Sequence, residues 1–121
     1  MLNDELGEQL AGWGKVAQVE TRGRVSGRPV TVAIGYVDAP DGSILVAAGA
    51  PDAGWARNLE AEPACTVTIG ETTWEARAEA LDAGEAARAV TALILKYGTP
   101  AERLGRGRAF RLRPVTSEQV S

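Results

Sequence analysis

The sequence predicts a mainly β protein of the α+β class, in which six antiparallel strands curl into a small barrel flanked by two or three helices. Four consecutive strand-like segments are linked by turns or by one short helix, whereas parallel strands need longer crossover connections. The chain has 121 residues, which suits one domain with one core. We therefore expect a single domain over 1–121, with a helix over 1–14, the barrel and its helices over 15–115, and a tail over 116–121.

The first segment has the spacing of a short amphipathic helix. Apolar side chains recur every three or four residues, at Leu2, Leu6, Leu10 and Trp13, and would form one stripe on a helix. Six segments with strand character follow. They are residues 15–22, 28–38, 44–49, 64–69, 72–81 and 109–115.

The alternation of side chains identifies the strands. Residues 28–38 place bulky side chains on one face and smaller ones on the other, which predicts one continuous strand. Residues 44–49 are apolar on both faces, as expected of a strand that is buried on both sides. Gly70 and Glu71 separate the fourth and fifth strands, and they predict a tight hairpin.

Two further helices are predicted between the strands. Asp52 can cap a short helix that ends before Pro63. Asp82 and Glu85 are three residues apart, as in a capping box, and they begin a longer helix. The apolar stripe of that helix continues to Tyr97.

The composition excludes several classes of active site. The chain has no histidine, so it cannot form a Ser-His-Asp or Cys-His unit, a histidine-ligated metal site or an imidazole general base. Cys65 is the single cysteine, which excludes an intrachain disulfide and a cysteine-rich zinc site. Because Cys65 alternates with Val67 and Ile69, we expect a packed core thiol and not a nucleophile.

The charge and hydropathy also narrow the function. The net charge is -3, which argues against bulk electrostatic binding to nucleic acid. No apolar run approaches the roughly 18 to 20 residues that span a bilayer, so we expect a cytoplasmic protein without a transmembrane segment. Basic residues collect between Arg88 and Arg113. They could bind a phosphate or a polyanionic tail, or Arg111 and Arg113 could be the solvated face of a strand.

Residues 21–27, T-R-G-R-V-S-G, place glycines, a hydroxyl and two guanidinium groups on a predicted hairpin, and Arg28 follows directly. Exposed backbone N–H groups, the Ser26 hydroxyl and the Arg24 guanidinium together favour the binding of an anion. The alternative is a solvated turn whose arginines pair with nearby acidic residues.

Residues 49–59, G-A-P-D-A-G-W-A-R-N-L, form a Gly/Pro-rich loop that continues into a helix. The unpaired N–H groups at a helix start favour an anion or a polar ring edge. Trp55 could stack on a planar ligand while Arg57 and Asn58 bind its polar edge. Alternatively, Trp55 and Leu59 only attach the helix to the barrel. No G-x-G-x-x-G motif is present, so a Rossmann nucleotide site is not supported.

Four motifs occur together: G-R-V-S-G-R-P at 23–29, L-V-A-A-G at 45–49, W-A-R-N-L-E-A-E-P at 55–63, and the T-V-T-I that follows. In these motifs the chain resembles the deazaflavin (F420)-dependent nitroreductase and quinone reductase family. The W-x-x-N-L-x-x-x-P block is the most specific of them. The resemblance implies a split β-barrel of the FMN-binding-like superfamily, often dimeric, which holds F420 or FMN. It would pass a hydride from the reduced cofactor to a quinone, nitroaromatic, enone or similar acceptor.

The resemblance also implies a cofactor site. Its phosphate side corresponds to Arg24, Ser26 and Gly27, and we expect Arg28 to hold the same side. The strand beneath the ring and the helix lining the pocket correspond to Ala47, Ala48, Gly49, Trp55, Asn58 and Leu59, and we expect Arg57 on that helix to join the site. Tyr97 is the candidate catalytic residue, as a proton donor to the acceptor. The chain differs from the family at Val30, where members commonly carry a further basic residue.

We therefore predict a homodimeric F420-dependent oxidoreductase whose partner is a small-molecule hydride acceptor. Hydride chemistry resides in the cofactor ring, which fits a chain without histidine. Two alternatives stay open. One is an FMN-binding reductase of the same fold, and the other is a flavin- or deazaflavin-binding protein without turnover.

Overall fold

The computed structural model describes residues 16–49, 53–97 and 107–115, which contain seven strands and two helices. The strands are β1 (Ala17–Arg22), β2 (Pro29–Ile34), β3 (Val37–Asp38), β4 (Ile44–Ala47), β5 (Ala64–Ile69), β6 (Thr72–Ala80) and β7 (Ala109–Pro114). The helices are α1 (Gly54–Ala61) and α2 (Ala83–Tyr97). The predicted helix over 1–14 and the predicted tail over 116–121 lie outside the described residues.

The strands form one antiparallel sheet in the order β2-β1-β5-β6-β7-β4-β3. β2 and β3 therefore lie at opposite edges, although only Gly35 and Tyr36 separate them in sequence. Three peptide units from Ile34 to Val37 reach about 11 Å. Six strand spacings across a flat sheet would amount to about 29 Å. The sheet must curl until its edges nearly meet, which confirms the predicted barrel.

The six predicted strands become seven because the segment 28–38 is not one strand. It divides at Gly35 and Tyr36 into β2 and β3. The cause lies in α2, where the Tyr97 hydroxyl accepts a hydrogen bond from Tyr36 N at 3.1 Å. The Tyr97 ring also occupies the space beside Gly35, where a Cβ atom would lie 3.0 Å from Cε2. The prediction of a continuous strand was therefore wrong, since a side chain 61 positions away imposes the break.

The concave face of the sheet carries the main hydrophobic core. Val19, Val67 and Leu112 have no exposed surface there. Helix α1 covers this face, and its Ala56 and Leu59 belong to the same cluster. Packing in this core therefore fixes the position of α1 relative to the sheet.

Helix α2 packs on the opposite face of the sheet. Leu93 forms a second, smaller core cluster with Ala47 of β4 and Ala109 of β7. At the start of the helix, Glu85 N donates a hydrogen bond of 2.8 Å to Asp82 Oδ1, which confirms the predicted cap. Neither of the two helices in the described ranges is long and apolar enough to cross a membrane.

The shorter elements follow their local sequence. α1 begins after Ala53, which offers no side-chain cap, and the predicted cap Asp52 lies outside the described residues. The helix ends before Pro63, as predicted. β5 and β6 are joined through Gly70 and Glu71, and the φ of +60° at Gly70 confirms a tight hairpin that favours glycine.

Cys65 lies on β5 in the main core, where only 4% of it is exposed, as predicted. Burial, and to a lesser extent the Glu75 carboxylate, raise the pKa of the Cys65 thiol to about 12.

We expect iodoacetamide at pH 8 to alkylate Cys65 in the folded chain far more slowly than in the chain unfolded in urea, where the thiol pKa returns to about 8.5. Equal alkylation rates in the two states would contradict this placement.

Replacing Gly35 with alanine tests the strand break. The added Cβ would lie 3.0 Å from the Tyr97 ring, which is held in place by its hydrogen bond to Tyr36 N. We expect the free energy of unfolding in urea to fall by about 1 to 3 kcal/mol. Gly54→Ala is the matched control, because no atom of the described residues lies within 4 Å of a Cβ there. If both variants unfold at the wild-type urea concentration, the Tyr97 ring does not impose the break.

Candidate functional site

The turn between β1 and β2 is closed by its own hydrogen bonds. Gly23 N donates to Arg28 O at 2.8 Å, and Gly27 N donates to Gly23 O at 2.9 Å. The Arg22 guanidinium adds a bond of 3.0 Å to Gly27 O. Gly27 has a φ of +72°, and a Cβ at Gly23 would lie 2.9 Å from Ser26 Oγ, so both positions favour glycine. The turn is therefore preformed.

Two side chains of this turn are exposed and have hydrogen-bond donors that no described residue uses. Ser26 Oγ accepts a hydrogen bond from Arg28 N at 3.2 Å, which leaves the hydroxyl proton free for another acceptor. The Arg28 side chain is exposed, and it makes no hydrogen bond or ion pair with the described residues. An anion that approaches the turn would meet both groups.

Arg24 connects the turn to α1 through Asn58. Asn58 Oδ1 accepts hydrogen bonds from the Arg24 backbone N at 3.3 Å and from Arg24 Nη1 at 3.0 Å. Asn58 Nδ2 in turn donates to Thr21 Oγ1 at 3.1 Å. Asn58 and Thr21 are buried, whereas Arg24 is exposed. The structure thus brings together the predicted phosphate-side turn and the predicted ring-side helix.

Trp55 and Leu59 share the buried side of α1, as predicted. The centroid of the half-buried Trp55 ring lies 6.2 Å from that of Phe110, with the planes tilted by 58°. Ala48 follows β4 and is fully buried in the same core cluster. The tryptophan helix and the small-residue strand therefore meet, and these contacts also attach α1 to the sheet.

The remaining predicted ring-site residues are more dispersed. Ala47 packs in the cluster beneath α2, on the other face of the sheet from α1. Gly49 is exposed, and no atom of the residues that the structure describes lies within 4 Å of a Cβ there. Arg57 is exposed on α1, and its side chain makes no polar contact with the described residues. Of these three, Gly49 and Arg57 are accessible to a ligand.

Two surface depressions are formed by residues of the described ranges. A polar one of about 100 Å³ adjoins the turn, between β1, β2, β5 and β6, and it includes Thr21 and Arg22. A more apolar one of about 450 Å³ lies between small residues of α2 and the start of β7, where it includes Val90 and Ala109. Neither is lined by α1, so the ring site predicted beside Trp55 is not one of these two depressions.

Tyr97 contacts the backbone of Tyr36 at the link between β2 and β3. Its hydroxyl accepts from Tyr36 N at 3.1 Å and donates to Tyr36 O at 3.3 Å. Lys96 Nζ also donates to Tyr36 O, at 2.7 Å, and lies 3.6 Å from the centroid of the Tyr36 ring. Burial raises the pKa of the Tyr36 phenol, with further contributions from Asp38 and Tyr97. These contacts give Tyr97 a structural role, and its role as a proton donor stays a prediction.

The arginines of β7 are paired with acidic side chains. Arg113 lies 2.9 Å from Glu79 and 3.2 Å from Asp41, and Arg111 lies 3.3 Å from Glu85. The bonds from Arg113 lower the pKa of Glu79, and bonds from Ser43 lower that of Asp41. For β7 the structure therefore favours the ion-paired face over a phosphate site.

Sequence reasoning missed two contacts that matter to this region. Thr21 bonds Asn58 across 37 positions, and Lys96 bonds Tyr36 across 60 positions. Side-chain periodicity reports which face a residue takes but not which residue it meets. Thr21 did carry a signal, because it is a polar residue in phase with the inward-facing Val19.

Comparison with solved structures shows the same fold. The heme storage protein HutZ from Vibrio cholerae superposes with a TM-score of 0.70 at 20% identity, over 95% of this chain and 92% of that one. An F420-H2 dependent reductase, FDR-A, gives 0.68 at 19% identity, over 82% and 94%. A structure described as a domain-swapped dimer gives 0.69 at 20% identity, over 91% and 96%. Comparison with curated protein sequences gave no match.

A sequence profile assigns the family. The profile of the F420H(2)-dependent quinone reductases matches residues 1–106 of the 121. The matched range contains the preformed turn, the small-residue strand and the tryptophan helix, the elements that the structure brings together. The chain therefore belongs to the F420H(2)-dependent quinone reductase family, and it is an oxidoreductase of the split β-barrel fold.

Proposed function

We propose that this protein uses F420H2 to reduce a quinone, a nitroaromatic, an enone or a similar small acceptor. Membership of the family supports the proposal. The observation that carries it is the contact between Arg24 and Asn58, because it joins an anion-binding turn to the helix expected beside the cofactor ring.

The donors of the turn fit an anionic cofactor. A guanidinium has five N–H donors, and the Arg24–Asn58 bond uses one at Nη1, so Nε and Nη2 can bind a phosphate bidentately. The Arg28 guanidinium and the Ser26 hydroxyl proton add donors on the same turn. Because the turn is already closed, little conformational entropy is lost when it binds.

The ring of the cofactor would lie where the end of β4 meets α1. Gly49 offers close backbone approach there, and the half-buried Trp55 ring offers a flat apolar surface. When bound, the cofactor supplies the hydride. The chain itself binds and orients the cofactor and keeps water from the ring, a role that requires no histidine.

We also propose a homodimer. Val30 on the edge strand β2 is 40% exposed and Leu95 on α2 is 83% exposed, and apolar groups of this kind favour contact with a second copy. A structure of the same fold is described as a domain-swapped dimer.

Sedimentation equilibrium tests the homodimer. It should give twice the chain mass of 12.7 kDa, and a mass of one chain would contradict the proposal.

Separate titrations with F420 and FMN test the choice of cofactor. We expect F420 to bind with quenching of its fluorescence, and F420H2 to be oxidised when menadione or a nitroaromatic is added. Tight binding of FMN without a response to F420 would favour the FMN-dependent alternative. Binding of F420H2 without oxidation by any acceptor would favour a protein without turnover, and binding of neither cofactor would refute all three.

Arg28→Ala tests the phosphate side of the site. Because the Arg28 side chain bonds no described residue, its loss should change the free energy of unfolding by less than about 0.5 kcal/mol. We expect the free energy of F420 binding to weaken by about 1.5 to 3 kcal/mol, as for a charge-assisted bond. The control is Arg77→Ala, on the outer face of β6, which should leave affinity unchanged. Equal affinities of the two variants would remove Arg28 from the site.

A further inference from the structure

Asn58 is a buried polar side chain whose hydrogen bonds all go to the protein. Only 4% of it is exposed, and its partner Thr21 is 2% exposed. Its amide oxygen accepts twice from Arg24, and its amide nitrogen donates to Thr21. A residue that contacted the cofactor directly would present one of these atoms to the pocket. Asn58 instead uses them to hold a neighbouring residue.

The chemistry of Arg24 fixes the orientation of this amide. Arginine only donates hydrogen bonds, so the amide oxygen must face it and the amide nitrogen must face Thr21. Thr21 Oγ1 accepts this bond and lies 3.4 Å from Val30 O, to which it donates. The result is a chain of three hydrogen bonds that runs from Arg24 on the surface, through Asn58 and Thr21, to the carbonyl of Val30 on β2. Each residue in it donates to the next.

The charge of the hydrogen-bond acceptor at position 58 matters as much as its position. A carboxylate at position 58 would also hold Arg24, but it would form an ion pair and cancel the positive charge at the turn. A neutral amide holds the guanidinium at 3.0 Å and leaves its charge available to an external anion. We infer that Asn58 is a positioning residue, which orients the Arg24 guanidinium toward an anionic group of the cofactor without neutralising it. This inference rests on the proposed function.

Asn58→Asp separates this role from a purely structural one. The carboxylate can accept from Arg24, and Thr21 can rotate its hydroxyl to donate to it, at the cost of the 3.4 Å bond from Thr21 to Val30 O. We expect the dissociation constant for F420, measured by fluorescence quenching, to increase at least about tenfold. The urea midpoint should fall less than in Asn58→Leu, because the buried carboxylate keeps its bond to Arg24. If Asn58→Asp binds F420 as tightly as the wild type, the charge at position 58 does not matter and the inference fails.

Arg77→Gln is the matched control for net charge. It also lowers the net charge by one, but it lies on the outer face of β6, and its exposed side chain makes no polar contact with the described residues. We expect its dissociation constant for F420 to stay within about twofold of the wild type, since β6 is two strands from β1 and salt screens exposed charges over about 10 Å. If it weakens binding as much as Asn58→Asp, the effect is one of net charge and the inference fails.

A double-mutant cycle tests whether Asn58 acts through Arg24. Asn58→Leu removes the amide at nearly constant size, and we expect it to weaken F420 binding several-fold in the wild type but less than about twofold in Arg24→Ala. Equal losses in both backgrounds would show that Asn58 acts independently of Arg24. A wild-type chain that does not bind F420 would refute the proposed function and this inference with it. The other contrary outcomes, in a chain that binds F420, would refute the inference alone.

Discussion

The structure depends on a link of two residues between the two edges of one sheet. Gly35 and Tyr36 carry the chain from β2 to β3, and the Tyr97 hydroxyl holds that link through the Tyr36 backbone. Because this link is so short, the sheet cannot flatten, and its concave face stays closed over the core. α1 and α2 are thereby fixed on opposite faces, and the surface between the first turn and α1 has a defined geometry.

A buried amide holds the candidate site together, as Tyr97 holds the link between β2 and β3. Asn58 satisfies its polar atoms with Arg24 and Thr21, which belong to the turn region and to β1. A buried amide left without partners would cost about 1 to 3 kcal/mol, so the helix and the hairpin are held together as one unit. The exposed Arg28 side chain bonds none of the described residues and is outside this network.

Local patterns predicted most of the fold and only part of the site. Alternation identified the segments that became β1, β5 and β6, and the four family motifs correctly predicted the family. Alternation failed at 28–38, because Tyr36 is buried in phase with Val32 and Ile34 even though the strand breaks before it.

The residues of the site show the same limit. The turn and the tryptophan helix carry family motifs, so their residues were predicted, but the pairing of Asn58 with Thr21 and Arg24 was not. Such pairs join positions 34 and 37 apart, and no periodicity in one sequence reports them. The role of Tyr97 at the β2–β3 link was hidden for the same reason.

The burial of the single thiol has a consequence if the acceptor is a quinone, as we propose. Quinones are electrophiles, and a thiolate adds to them by conjugate addition to give a stable adduct. Cys65 stays almost entirely protonated at neutral pH, and its side chain is buried in the core on β5. It therefore offers such an acceptor no nucleophile. The chain can therefore meet a reactive acceptor repeatedly without being arylated at its own sulfur.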